Sequence, residues 1–222
     1  MRDLDVDNEP EDSPPEQMGG GFVAGTLVHT DRGLVPIEQI RVGDMVLSQP
    51  QETGELAYKR VLRTFSFEDR EVGLVEYTRV ADLREDGQEQ WEHLVATKNY
   101  PFFVKGIGWT RADHLDPGSQ YDLILRDGSF ARCIYLELRN TEVQNVALGM
   151  NIHYFDDVGT LVDLRGRPPE IIDRDTDNAY ASDLEGGFCT QRVYNIEVEG
   201  YHTHYVGEAA VWVHDTDGSS TT

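Results

Sequence analysis

The side chains of this chain whose types and spacing could do chemistry are first His202, His204 and His214 near the C-terminal end. Histidine changes charge near neutrality, so it moves protons, and its neutral ring also ligates zinc. His202 and His204 are two apart, a spacing that on a strand sets both rings on one face. A second candidate is Asp173, Asp175 and Asp177, which have the one-three-five spacing of a calcium loop. That loop needs glycine at its sixth position and a bidentate glutamate at its twelfth. Asn178 and Leu184 stand there instead, with Glu185 one residue late, so no metal is assigned. His93 lies within an apolar run and reads as structural or surface. Cys133, in the apolar run Cys133-Ile134-Tyr135-Leu136, reads as a buried reduced thiol rather than half of a disulfide with Cys189.

These residues must be positioned by short strands. Residues 21–48, GFVAGTLVHTDRGLVPIEQIRVGDMVLS, hold an apolar strand, a polar turn at Thr30-Asp31-Arg32-Gly33, and a single helical turn that brings Ile37 and Ile40 to one side. Val42-Gly43-Asp44 bends the chain into Met45-Val46-Leu47, a short apolar run closed by turn residues, as buried strands are. Further strands are expected over 56–67 and 72–80, joined by a turn at Glu68-Asp69-Arg70, then over 91–96, 121–125, 131–139 and 192–200. Asp86-Gly87 and Asp127-Gly128 are hairpin turns, and residues 151–164 alternate around Asp156-Asp157. Residues 165–187 are rich in Pro, Gly and Asp and read as a long acidic loop. No convincing amphipathic helix of more than about three turns is found, so the chain is expected to be all-β.

The order of these parts resembles the Hint domain, the self-processing module of inteins, hedgehog proteins and bacterial pretoxins. Residues 21–48 match its opening signature, "CF.AGT.V.T..G..PIE.I..GD.V", at every fixed element except the first, where Gly21 takes the place of the cysteine. Thr97, Tyr100, Pro101, Phe102, Val104, Trp109, Ala112 and Leu115 follow the second signature, "T..HPF.V....W..A..L", with Tyr100 in place of its histidine. Residues 193–215 follow the third, "VYN..V.G.H..FVG....VHN", keeping His202 and His214 but ending in Asp215 where the family has asparagine. The resemblance implies a horseshoe-like disc of long curved antiparallel strands that sets the first and last signatures side by side. It also implies that Gly21, Thr97, Tyr100, His202, His214 and Asp215 occupy the positions of a self-cleaving centre. In active members the cysteine thiol attacks the peptide bond before it, the histidine protonates the departing nitrogen, and the asparagine amide attacks its own carbonyl.

Here none of those three groups is present. Glycine carries no nucleophile, a phenol of ordinary pKa near 10 does not cycle protons at neutrality, and a carboxylate has no amide nitrogen. Loss of groups that act as a unit leaves no proportionate residue of activity. The expectation is therefore a Hint fold without its catalysis.

Composition narrows what such a fold could bind. The 222 residues, 39% hydrophobic, suffice for one sizeable core, and the expected organisation is an acidic disordered leader over 1–20, one domain over 21–215 and a short tail over 216–222. On that reading little flanks the domain for processing to release. With 41 acidic against 19 basic residues the formal charge is -22, which disfavours nucleic acid and anionic membrane surfaces and favours a basic protein. A nuclease toxin is such a protein, being basic because its substrate is a polyanion; a secreted effector is another. An immunity protein or adaptor is the expected role, with Asp173, Asp175, Asp177 and Glu185 as the contact. A salt-adapted or GC-rich genome accounts for the same acidity, and a self-processing domain in inactivated form or a metal-binding domain are the other readings. No cofactor is expected. No apolar run approaches the length of a membrane span and no signal peptide is seen, so a cytoplasmic location is expected.

Overall fold

The computed structural model describes residues 20–84, 89–115, 120–151, 158–177 and 187–215. The leader up to residue 19, the tail 216–222, the turn at Asp86-Gly87, the alternation around Asp156-Asp157 and the positions of Asn178, Leu184 and Glu185 lie outside them. The described chain is antiparallel sheet with three single-turn 3-10 segments. In order the strands are β1 (Phe22–Val23), β2 (Leu27–Thr30), β3 (Gly33–Pro36), β4 (Met45–Ser48), β5 (Ala57–Arg79), β6 (Glu92–Thr97), β7 (Pro101–Val104) and β8 (Gly108–Arg111). They continue with β9 (Asp122–Ile124), β10 (Phe130–Asn140), β11 (Val146–Met150), β12 (Val158–Asp163), β13 (Glu170–Asp177), β14 (Thr190–Val198), β15 (Thr203–Val206) and β16 (Val211–His214).

The turn expected at Glu68-Asp69-Arg70 does not exist as a chain reversal. Residues 57–79 form one continuous strand, β5, and the polar triplet is absorbed as a bulge: Phe67 pairs with Val193 and Arg70 with Gln191, one residue more on β5 than on β14. Asp69 takes the extra position with φ of 51°, a left-handed conformation that aspartate tolerates better than most residues. Before the bulge β5 alternates between covered and open positions, whereas Val72 to Thr78 are all buried. That second half packs Val75 and Tyr77 into one core cluster and Val72 and Leu74 into another, so neither face is left to solvent and no alternation shows.

The long acidic loop expected over 165–187 is likewise corrected in its first part. Glu170–Asp177 is strand β13, paired with β12 through two register irregularities and lying at an end of the sheet. Ile171 and Ile172 supply the β-branched residues, and Arg174 turns back to Glu76 at 3.0 Å, tying the strand to the body of the domain. Its aspartates read as loop because carboxylates on an edge strand protect the edge rather than break the strand.

The main core gathers Phe22, Tyr100, Phe102, Ile196, Val206 and Val213 from both chain ends and the middle. A second cluster packs Leu74, Leu136, Leu138 and Val193, and a third sets Tyr205 and Trp212 against Phe103 and Trp109. Cys133 and Cys189 are free and buried, and burial pushes the Cys133 thiol up, away from reactivity. Among the described residues no helix is long and apolar enough to cross a membrane.

Candidate functional site

The first strand carries Gly21 into a slot between β6 and β14, because Phe22 pairs with Ala96 on one side and Tyr194 on the other. The Gly21 N–H donates to Thr97 Oγ1 at 3.2 Å, and the Thr97 N–H donates to the Gly21 carbonyl at 2.9 Å. Thr97 thus holds the backbone at the place where the cysteine was expected. No side chain fits there: a Cβ on Gly21 would lie 2.3 Å from the Tyr194 carbonyl oxygen and 2.8 Å from its carbon. Its glycine answers to space, since the approach is by backbone and cannot be relieved by a rotamer change.

Tyr100 ends the turn after β6, its N–H donating to the Thr97 carbonyl at 3.0 Å. Its ring is fully buried, with centroids 4.4 Å from Phe22 and 6.3 Å from Phe102. The hydroxyl donates to Asn195 Oδ1 at 2.9 Å. Burial first, and the negative charge of Asp215 second, push the phenol well above its ordinary value, so it stays a neutral donor. Tyr100→Phe removes one buried hydrogen bond while Asn195 Oδ1 keeps the Ile196 N–H at 2.9 Å. The expected loss is about 1 kcal/mol in a urea melt.

Asp215 closes the opposite side. Its N–H donates to the His202 carbonyl at 2.7 Å, and its carboxylate, 1% exposed, accepts the Val198 N–H. The second carboxylate oxygen lies 3.3 Å from His202 Nδ1 and 3.9 Å from His214 Nδ1. His214 Nδ1 donates to the Asp215 carbonyl, and the Trp109 ring stands edge-on to the imidazole at 5.0 Å. The carboxylate therefore works as a latch that joins β14 to the loop before β15 and to the end of β16.

His204 does not join this group. His202 precedes β15 with φ of 55°, which breaks the two-residue alternation, and His204 turns into the interior, fully buried. Neither ring nitrogen has a hydrogen-bond partner among the described residues. Burial, and then the charge of His214, lower its pKa from 6.5 to about 3. Among the described residues no three His, Cys, Asp or Glu side chains come together as a metal would require. His93 is structural as expected, its Nε2 on the Pro169 carbonyl at 2.9 Å. The aspartates of the calcium spacing lie along β13, with Asp173 accepting from Thr176 Oγ1 at 3.0 Å; a strand cannot wrap a cation as a loop does.

The positions named from sequence are thus brought together as Gly21 with Thr97, and His202 with His214 and Asp215, with Tyr100 between. Asn195, the Tyr194 carbonyl and the Val198 N–H complete the site and are missed by residue-type reasoning. The signal for Asn195 is an amide set among Val193, Tyr194 and Ile196.

The family profile described as the pretoxin HINT domain matches residues 27–155. Among solved structures, the bacterial intein-like domain from Clostridium thermocellum is similar, at 26% identity and a TM-score of 0.53 over 88% of this chain and 98% of that one. A DnaB intein from Synechocystis sp. PCC 6803 is similar at 14% identity and a TM-score of 0.50, covering 89% of this chain and 99% of its own. At that identity the likeness is one of fold: these strands follow the Hint and intein path. None of the curated proteins matches the chain.

Proposed function

The chain belongs to the pretoxin Hint domain family, and from that premise we propose that this member does not process itself and instead binds a basic protein, as an immunity protein or adaptor for a nuclease-type toxin or secreted effector. The observation that carries the first half is the space at Gly21: the Tyr194 carbonyl oxygen stands 2.3 Å from where a nucleophile's Cβ would be. Tyr100 and Asp215 support it, since each is committed to a buried hydrogen bond that holds the fold. The second half rests on the charge of -22, which favours fast encounter with a basic surface. Such a partner is met in the cytoplasm before export.

Reporter domains fused to both ends are expected to stay joined through prolonged incubation with reductant, checked by intact mass. Cleavage at either junction would sink the non-processing reading. A second reading, a processing domain retained in inactivated form, draws on the His214 donation to the Asp215 carbonyl, which keeps the polarising half of a C-terminal release step. Cleavage after residue 215 that is absent from the parent chain and appears on Asp215→Asn alone would favour it.

Binding is tested against a panel of basic nuclease toxin domains by stopped flow. The association rate is expected to fall at least tenfold between about 0.05 and 0.5 M salt, as the Debye length shrinks from above 10 Å to a few Å, while dissociation changes little. Asp173→Asn, Asp175→Asn and Asp177→Asn together should slow association without lowering stability. Binding indifferent to salt and to the triple substitution would return the acidity to genome composition.

A further inference from the structure

The outer edge of β6 has one side of its ladder open. Thr97 directs its N–H away from β5, to the Gly21 carbonyl, and since alternate residues of a strand point the same way, His93 and Val95 direct theirs outward too. The one pairing of β1 with β6 is Phe22 to Ala96, after which the first strand runs on beside β14 and leaves. Along Glu92 to Val95, β6 therefore has β5 on one side and no strand on the other among the described residues. Val95 is 1% exposed, so its outward N–H meets solvent only through whatever opening lies beside it.

Such an opening exists. A cleft of about 280 Å³ lies beside this edge, lined by Gly25, Leu27, Trp91, Leu94, Pro168 and Pro169. The proline wall has no N–H to offer, so it cannot zip onto β6 as a strand would. It is nevertheless fixed: the His93 ring holds the Pro169 carbonyl, and the Arg167 and Pro168 backbone lies within 2.6 Å of where a Cβ on Gly25 would be. Two carboxylates mark the rim. Glu92 accepts from Tyr77 at 3.0 Å and from the Ala209 N–H at 3.3 Å, while Glu208 is exposed.

We propose that this cleft is where the basic partner docks, by laying an extended segment along β6 as an added strand, with small apolar side chains in the cleft and a lysine or arginine at Glu208. The proposal rests on the basic-partner reading above and names its site. Backbone groups supply the affinity in such strand addition, and the alternate side chains supply the selectivity. The edge strand β13 is longer and acidic, and its Arg174 lines a cleft of about 210 Å³, but that side chain is already held by Glu76.

The test uses a capped octapeptide of alternating lysine and valine, with its glutamate-valine counterpart as control. Saturating lysine-valine peptide is expected to slow amide exchange at His93 and Val95 at least tenfold, and Glu208→Lys to weaken its binding at least fivefold. The glutamate peptide should not bind. Protection that falls on Glu170 to Asp177 instead overturns the site while leaving the basic-partner reading intact. Unchanged exchange at His93 and Val95, or equal binding of both peptides, overturns it as well and means the prolines only guard an edge against self-pairing. Failure of the basic-partner reading is seen separately, in the salt-independent kinetics described above.

Discussion

Gly21→Cys is expected to loosen the domain rather than arm it. The thiol's Cβ would meet the Tyr194 carbonyl oxygen at 2.3 Å, and that carbonyl belongs to β14, which is paired with both β1 and β5. Making room means shifting the strand that also carries Asn195, the acceptor for Tyr100, and Val198, the donor to Asp215. Inserting volume into a packed interior costs roughly 1–3 kcal/mol and more when backbone must move, so about 3 kcal/mol or more is expected for Gly21→Ala and Gly21→Cys alike. A urea melt reads this as a lower midpoint with an unchanged slope. Adding Tyr100→His and Asp215→Asn to Gly21→Cys should give no junction cleavage by intact mass. A Gly21→Ala variant as stable as the parent, or a triple variant that cleaves, would show that β14 yields and that the slot is not closed.

The second large effect is acid sensitivity centred on His204. In the folded chain this ring is neutral because it is buried without a hydrogen-bond partner among the described residues, and its pKa sits near about 3 against 6.5 for an exposed histidine. The unfolded chain therefore takes up a proton below pH 6.5 that the folded chain refuses. Stability is complete above 6.5 and falls as the pH drops from 6.5 toward about 3. This one site contributes a loss of about 2 kcal/mol at pH 5 and about 3 kcal/mol at pH 4. His204→Leu keeps an apolar side chain of similar size and should flatten the acid limb in melts taken between pH 7 and 4. An equal slope in parent and variant would assign the acid loss to other groups.

What could be read from the chain alone, and what could not, divides along a physical line. Local geometry is legible: Thr30-Asp31-Arg32-Gly33 turns because its residues favour turning, Asp127-Gly128 likewise, and Ile37–Gln39 forms its single helical turn. Thr97, Tyr100 and Asp215 fall into one region because three stretches in the order of a Hint path bring them there. Long-range sterics are not legible. Nothing near Gly21 in sequence announces that Tyr194 will stand against it, and a missing cysteine looks like a simple loss until the strand that forbids it is in place. His204 misleads for the opposite reason, since its spacing from His202 suggests a shared face and only the left-handed φ at His202 cancels it. Asp69 reads as a turn because the same left-handed preference serves a bulge as well as a reversal. The acidity of β13 hides a strand because charge reports exposure, not backbone conformation.

The length of β5 bears on how the chain can be made. Ala57 to Arg60 can pair at once with β4, but the edge from Val61 to Glu71 has to wait for β14: Glu71 pairs with Thr190 and Val61 with Val198, more than a hundred residues later. At about 5–20 residues per second of synthesis the delay is on the order of ten seconds, during which that edge emerges from the ribosome with no native mate. A nascent strand so exposed invites pairing with the same strand on a neighbouring chain of the polysome. Arg60, Arg63 and Arg70 are spaced along it, while Glu68, Asp69 and Glu71 cluster at the bulge, so two copies brought together in parallel register would oppose like charge to like charge. The chain's surplus of carboxylates adds a general repulsion between copies while they are being made.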